Sequence, residues 1–221
     1  MNSATDSASY AAMRHAMVAS QLRTSAVNDA RVVEAMARVP REAFVPADLR
    51  PLAYRDTLLP LDSGRKHNSP LATGRLLTEA EIQPTDKVLL IGAAGGYAAA
   101  ILAQLAKTVV ALEEDDALVA LARGTLAGES NVALVQGPLN AGWAEGAPYD
   151  LLIIDGAVEA VPEVIVQQLK VGGRAVGGIV DRGVTRLASG VRSEGGFALV
   201  AFADVECAVL PGFAQPKSFQ F

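Results

Sequence analysis

Residues 87–97 read KVLLIGAAGGY, and this stretch decides the fold. A short aliphatic run makes a buried strand, Gly92, Gly95 and Gly96 make a turn, and the alanines and leucines that follow make a buried helix. Taken as one piece, Val88 to Ala106 carries no charge for nineteen residues, the length of a membrane span. The glycines cut that piece, and the turn-like Gln83-Pro84-Thr85-Asp86 precedes it, so strand, turn and helix is the reading adopted. Such a turn brings main-chain N–H groups and a helix N-terminus close to a ligand, as nucleoside sites require. A glycine turn with no ligand is the alternative.

The same alternation continues outward. Strands are expected at Lys87 to Ile91, Thr108 to Leu112, Asn131 to Val135, Asp150 to Ile154 and Arg174 to Val180, with helices at Gly96 to Ala106, Asp115 to Ala127 and Pro162 to Leu169 between them. Strands rich in Val, Ile and Leu that alternate with helices belong to a parallel sheet covered on both faces, a doubly wound α/β fold. Phe197 to Ala203 and Val205 to Leu210 are separated only by Asp204, too short for a crossover, so they should be antiparallel or one bent strand. Upstream, residues 1–9 read as a frayed tail, a helix runs to Leu22, and a second helix is capped by Asn28 or Asp29 and stopped before Pro40. From Arg41 to Asn68 the prolines at 46, 51 and 60 and Gly64 leave an irregular segment packed on the main body, and a helix follows over 71–82. This divides the chain into a helical extension with its loop at 1–78 and an α/β domain at 79–221.

The 221 residues carry a net charge of −5, with 51% hydrophobic and 19% charged residues. That composition excludes a wholly disordered chain and provides no cationic field for nucleic acid or an anionic membrane. The lone Cys207 cannot close an internal disulfide, and with two histidines it makes no plausible zinc set. Cys207 reads as a core residue of an apolar strand. The first ten residues lack the basic and apolar regions of a secretory signal, so a cytoplasmic location is expected.

Glu113 and Glu114 stand at the end of the strand after the glycine turn, about twenty residues beyond it, where nucleotide-binding sheets place a carboxylate that accepts hydrogen bonds from ribose hydroxyls. The alternative is a solvated helix start in which Glu114, Asp115 and Asp116 favour the helix dipole. Both can hold, with Glu113 at the sheet edge and the aspartates as caps.

VPREAFVP (39–46), AYRDTLLPL (53–61), VLLIGAAGGYAAAILAQLA (88–106), VALEEDDAL (110–118), APYDLLIIDGA (147–157) and QLKVGGRAV (168–176) together resemble the protein-L-isoaspartate O-methyltransferase family in order and spacing. The resemblance implies a seven-stranded, Rossmann-like methyltransferase sheet with a helical N-terminal extension, and S-adenosylmethionine lying over the carboxyl ends of the first strands. It places Gly92, Ala94, Gly95 and Gly96 beside the cofactor, Glu113 on its ribose hydroxyls and Asp155 beside the methyl group. The implied substrate is an isoaspartyl residue of a damaged protein or peptide. Its carboxylate is already ionised at neutral pH, so positioning rather than proton transfer carries the reaction.

Several positions depart from the family pattern. The substrate loop, approximately G-Q-T-I-S-Q-P in the family, is Gly64-Arg65-Lys66-His67-Asn68-Ser69-Pro70. The hydroxyl expected to meet the reacting carboxylate falls on Asn68, with Ser69 one place late, so these two are the catalytic candidates. Arg65 and Lys66 change the loop's charge and suit a carboxylate substrate, and His67 is either an acid-base group or an exposed loop residue. Leu90 stands where the family has an acid, Ala94 adds a methyl at the centre of the glycine turn, and Gly137-Pro138-Leu139 replaces G-D-G. These changes keep a second reading open: a divergent member that acts weakly, acts on another carboxylate, or serves as a binding module. Trp143 is expected to pack under the adenine side. The phenylalanines of FAQPKSFQF (213–221) should pack back on the domain, with a partner or homodimer contact as the alternative.

Overall fold

The computed structural model describes residues 3–61 and 64–215. Its centre is one seven-stranded sheet built from β3 (Lys87–Ile91), β4 (Thr108–Glu113), β5 (Val132–Gln136), β6 (Tyr149–Val158), β7 (Leu169–Asp181), β8 (Val184–Val191) and β9 (Val200–Ala203), in the order β5-β4-β3-β6-β7-β8-β9. The first five are parallel, and β8 and β9 join antiparallel. Val88, Leu89, Leu90 and Ile91 are all buried because β3 is central and covered on both faces, which is why its sequence is a run rather than an alternation.

Chain order reverses between β3 and β6: from β3 the chain moves outward through β4 and β5, then returns to place β6 on the other flank. Such a switch point leaves a crevice at the carboxyl ends of the two central strands. Gly92 follows β3 there, and Asp155 and Gly156 lie near the end of β6.

The helices are α1 (Ser3–Met17), α2 (Ala30–Arg38), α3 (Pro70–Glu79), α4 (Tyr97–Ala103), α5 (Asp116–Thr125) and the short α6 (Glu163–Val166). The expected tail over 1–9 is corrected, since α1 begins at Ser3, and its helix does not run evenly to Leu22 but passes at Val18 into a wider π-helical turn ending there. Asp29 caps α2 by accepting from the Arg31 N–H. The 41–68 segment holds two 3₁₀ turns, Arg41–Phe44 and Ala47–Leu52, and a short antiparallel pair, β1 (Leu59–Pro60) with β2 (Lys66–His67). One apolar core runs from Met17 through α2 and α3 to the sheet and Cys207, so the N-terminal elements share the core of the sheet.

The end of the chain also differs from expectation. β8 has no counterpart among the expected strands, β9 pairs with it, and 205–210 forms no strand; there Val209 makes an isolated parallel bridge with Ala157. The Ala157 N–H donates to Ala208 O at 2.7 Å, and the Leu210 N–H donates to Ala157 O at 2.9 Å. The C-terminal segment is thereby laid across the carboxyl end of β6. Phe213 is buried against the second face of the sheet, whereas Phe219 and Phe221 lie outside the described residues.

Candidate functional site

The glycine turn after β3 is shaped by neighbours as much as by any ligand. A Cβ at Gly95 would overlap the Phe44 carbonyl, and one at Gly96, where φ is +97°, would meet Leu126 at 2.9 Å. Gly92, at φ +81°, faces side-chain ends instead: a Cβ there would meet Leu210 Cδ1 at 3.0 Å and Arg65 Nη2 at 3.7 Å. Ala94 keeps a positive φ of 48°, and its methyl packs with Leu61 and Leu118.

Glu113 ends β4 and is fully buried. Its Oε2 accepts from the Ala94 N–H at 2.7 Å, and its Oε1 accepts from the N–H groups of Glu114 at 2.9 Å and Asp115 at 3.2 Å. Arg65 completes the set as a fork, Nη1 to Oε1 at 2.6 Å and Nη2 to Oε2 at 3.2 Å. Asp115 caps α5 by accepting from Ala117 N and Leu118 N, both at 3.0 Å, so the two acids divide strand-end and cap duties as their positions indicated.

Asn68 and Ser69 follow β2 and take different places. Ser69 is the N-cap of α3, its hydroxyl accepting from Ala72 N at 3.2 Å, with Pro70 at the first helical position. Ser69→Ala is expected to lower stability by about 1 kcal/mol through loss of that cap, read as a shift in the urea midpoint at unchanged slope. Asn68 is buried, donates through Nδ2 to Asp155 Oδ1 at 2.7 Å and accepts at Oδ1 from Ala208 N at 2.8 Å. Burial pushes the Asp155 carboxyl up from its ordinary value, opposed by the Asn68 amide and by the charges of Arg41 and Arg65.

Two residues beneath the loop go beyond what the sequence conveys. His67 is neither exposed nor paired with a proton partner: it is buried, neither ring nitrogen has a hydrogen-bond partner among the described residues, and the ring sits edge-on to Tyr97 at 5.8 Å. Burial, helped by the nearby Arg41 charge, holds its pKa well below 6.5. The unfolded chain therefore takes up this proton first as pH falls. Stability should drop below about pH 6.5 by up to ~1.4 kcal/mol per unit from this residue, a slope that His67→Phe should remove from urea midpoints measured between pH 7 and 5. Arg41, which the sequence offered only as part of PREAF, is fully buried. Its Nε donates to Ala53 O at 2.7 Å, its Nη2 to the Asn68 carbonyl, and its guanidinium lies 4.7 Å from the Tyr97 ring centroid.

Arg41, Arg65, Glu113 and Asp155 thus bring two cations and two carboxyls together under the carboxyl edge of β3, β4 and β6. Residues 12–201 match the family model described as protein-L-isoaspartate(D-aspartate) O-methyltransferase. The chain belongs to this family. A protein-L-isoaspartate O-methyltransferase of Synechococcus sp. is 44% identical over 169 residues, covering 76% of this chain and 69% of the relative, and one of Rhodopseudomonas palustris is 40% identical over 173 residues, covering 77% and 71%. A solved protein-L-isoaspartate O-methyltransferase superposes with a TM-score of 0.77 at 22% identity over 90% of this chain and 66% of that one. A second, a putative isoaspartate methyltransferase of Plasmodium falciparum in complex with S-adenosyl-L-homocysteine, gives 0.73 at 18% identity, covering 89% and 96%.

The family's group, S-adenosylmethionine, can be tested against the residues present. A buried carboxylate at the end of β4 and a bare Gly92 backbone suit its hydroxyls and its close approach, and what a Cβ at Gly92 would touch is the ends of movable side chains rather than backbone. The residues fit the group once the Arg65 guanidinium leaves Glu113 and the Leu210 side chain moves from Gly92. Trp143 packs partly buried beneath Gly137, with its carbonyl accepting from the Tyr149 hydroxyl at 2.7 Å. Cys207 is buried, and burial pushes its thiol up to about 12, as suits a core residue.

Proposed function

We propose that the chain is an S-adenosylmethionine-dependent carboxyl O-methyltransferase of the isoaspartate-repair type, acting in the cytoplasm on isoaspartyl residues of damaged proteins or peptides. The observation that carries this reading is the family match over 12–201, on a chain whose buried Glu113 closes the strand next to the glycine turn. S-adenosylmethionine supplies an activated methyl group on a sulfonium. The chain's own residues hold and orient. Glu113 accepts hydrogen bonds from the ribose hydroxyls, Gly92, Ala94, Gly95 and Gly96 form the backbone wall beside them, and Asp155 lies at the reacting end of the crevice. Asn68, one residue before the cap of α3, is the loop side chain that meets the substrate carboxylate, offering an amide N–H where a hydroxyl would otherwise donate.

No residue needs to move a proton for a carboxylate to attack, so the expected pH profile is flat above the substrate's own carboxyl pKa. The deciding experiment is methyl transfer to an isoaspartyl peptide and to its ordinary aspartyl twin. Transfer to the first alone is expected. Transfer to neither, with a folded protein and saturating cofactor, would overturn the reading, and equal transfer to both would replace it with methylation of carboxylates in general.

A further inference from the structure

Glu113 has no room for another donor. A carboxylate offers about four lone-pair positions, and Glu113 already accepts from both nitrogens of the Arg65 fork and from the N–H groups of Ala94, Glu114 and Asp115. The three N–H groups are fixed by the strand end and the turn. Arg65 alone sits on a loop and can leave. Two ribose hydroxyls and the guanidinium are therefore alternative occupants of one carboxylate.

A second side chain stands in the same space. Leu210, buried on the segment laid across β6, would be 3.0 Å from a Cβ at Gly92 and 2.5 Å from one at Gly156, so it lies over the ends of both central strands at the switch point. Asn68 joins the two obstructions. It follows the loop that carries Arg65, its Oδ1 accepts from Ala208, two residues before Leu210, and its Nδ2 holds Asp155. Leu61, on the same loop, packs on Ala94 of the glycine turn.

We infer that Arg65 is the chain's own competitor for Glu113, and that cofactor binding requires the side chains of Arg65 and Leu210 to swing out of the crevice together. This rests on the reading that Glu113 holds the cofactor's ribose. The closed arrangement lowers the apparent affinity by the fraction of molecules that are open, so removing an obstruction tightens binding with no new contact.

Calorimetric titration of S-adenosylhomocysteine into the whole chain tests this. Arg65→Met is expected to bind ten- to a hundredfold tighter than the native protein, with circular dichroism confirming that it folds. An affinity unchanged or weakened in folded Arg65→Met overturns the competition while leaving the assignment of Glu113 intact. Should Arg65→Met fail to fold, because Glu113 is left buried without its cation, Leu210→Ala decides on the same criterion: it removes an obstruction and touches no charge. Absence of binding in the native chain and in a folded variant alike overturns the assignment of Glu113, and the competition with it.

Discussion

Glu113→Ala should lower the folding free energy by about 3–5 kcal/mol and abolish binding of S-adenosylhomocysteine in the same protein. The size of the effect comes from what is left behind. Arg65 is only 6% exposed in its side chain and its ion pair is with Glu113, so the variant keeps a buried cation without its carboxylate. The backbone N–H of Ala94 also loses its acceptor. Urea unfolding followed by circular dichroism reads the first consequence and calorimetry the second. In a Glu113→Ala, Arg65→Met pair most of the lost stability should return, since replacing both members of a buried ion pair is far milder than removing one, while binding stays absent. A loss below about 1 kcal/mol would mean that water reaches the pair and that the crevice is more open than its burial indicates.

Arg41→Ala is the other large change expected, at about 3 kcal/mol or more. It empties the volume of a fully buried side chain beside Tyr97 and strips donors from the carbonyls of Ala53 and Asn68. The second carbonyl belongs to the residue that holds Asp155 and Ala208, so the variant should also loosen the loop, seen as faster hydrogen exchange at Ala208 than in the native chain. Arg41→Lys restores the charge without the planar fork and should recover only part of the loss. The native pKa of Arg41 is itself pulled down by burial. Full recovery by lysine would show that charge alone matters there.

The central sheet could be read from the chain because its strands are buried on both faces: VLLI, VVAL and the run at 151–154 carry no polar interruption that a helix or loop would need. β8, VTRLASGV, escapes such a reading for the opposite reason. It is antiparallel, near the sheet's edge and half solvated, so its burial is broken and its sequence mixes polar with apolar residues. Glu113 is legible from its distance to the glycines, since both ends of that spacing lie within one strand-helix-strand unit. Its partner is not. Arg65 is 48 residues away, and nothing local distinguishes a guanidinium that will be buried on a carboxylate from one that will stay in water. His67 is hidden in the same way: beside Arg65, Lys66 and Asn68 it has the company of an exposed loop, and only the packing of that loop over Tyr97 buries it. Gly95 reads in the sequence as room for a ligand, yet the close approach it permits is that of the Phe44 carbonyl.

The Asn68 amide links positions 87 and 140 residues apart in the chain, Asp155 and Ala208. During synthesis the sheet's central parallel strands can pair long before residue 208 exists, whereas the part of the crevice's covering that Ala208 and Leu210 supply has to wait for it. Closing a loop of that length is slow and entropically costly relative to forming local turns. That half of the covering is thus the last part of the crevice to be finished. A nascent chain arrested before Ala208 would already have Arg65 to set on Glu113 and Leu61 on Ala94, but no Leu210 over Gly92 and Gly156 and no Ala208 N–H on Asn68.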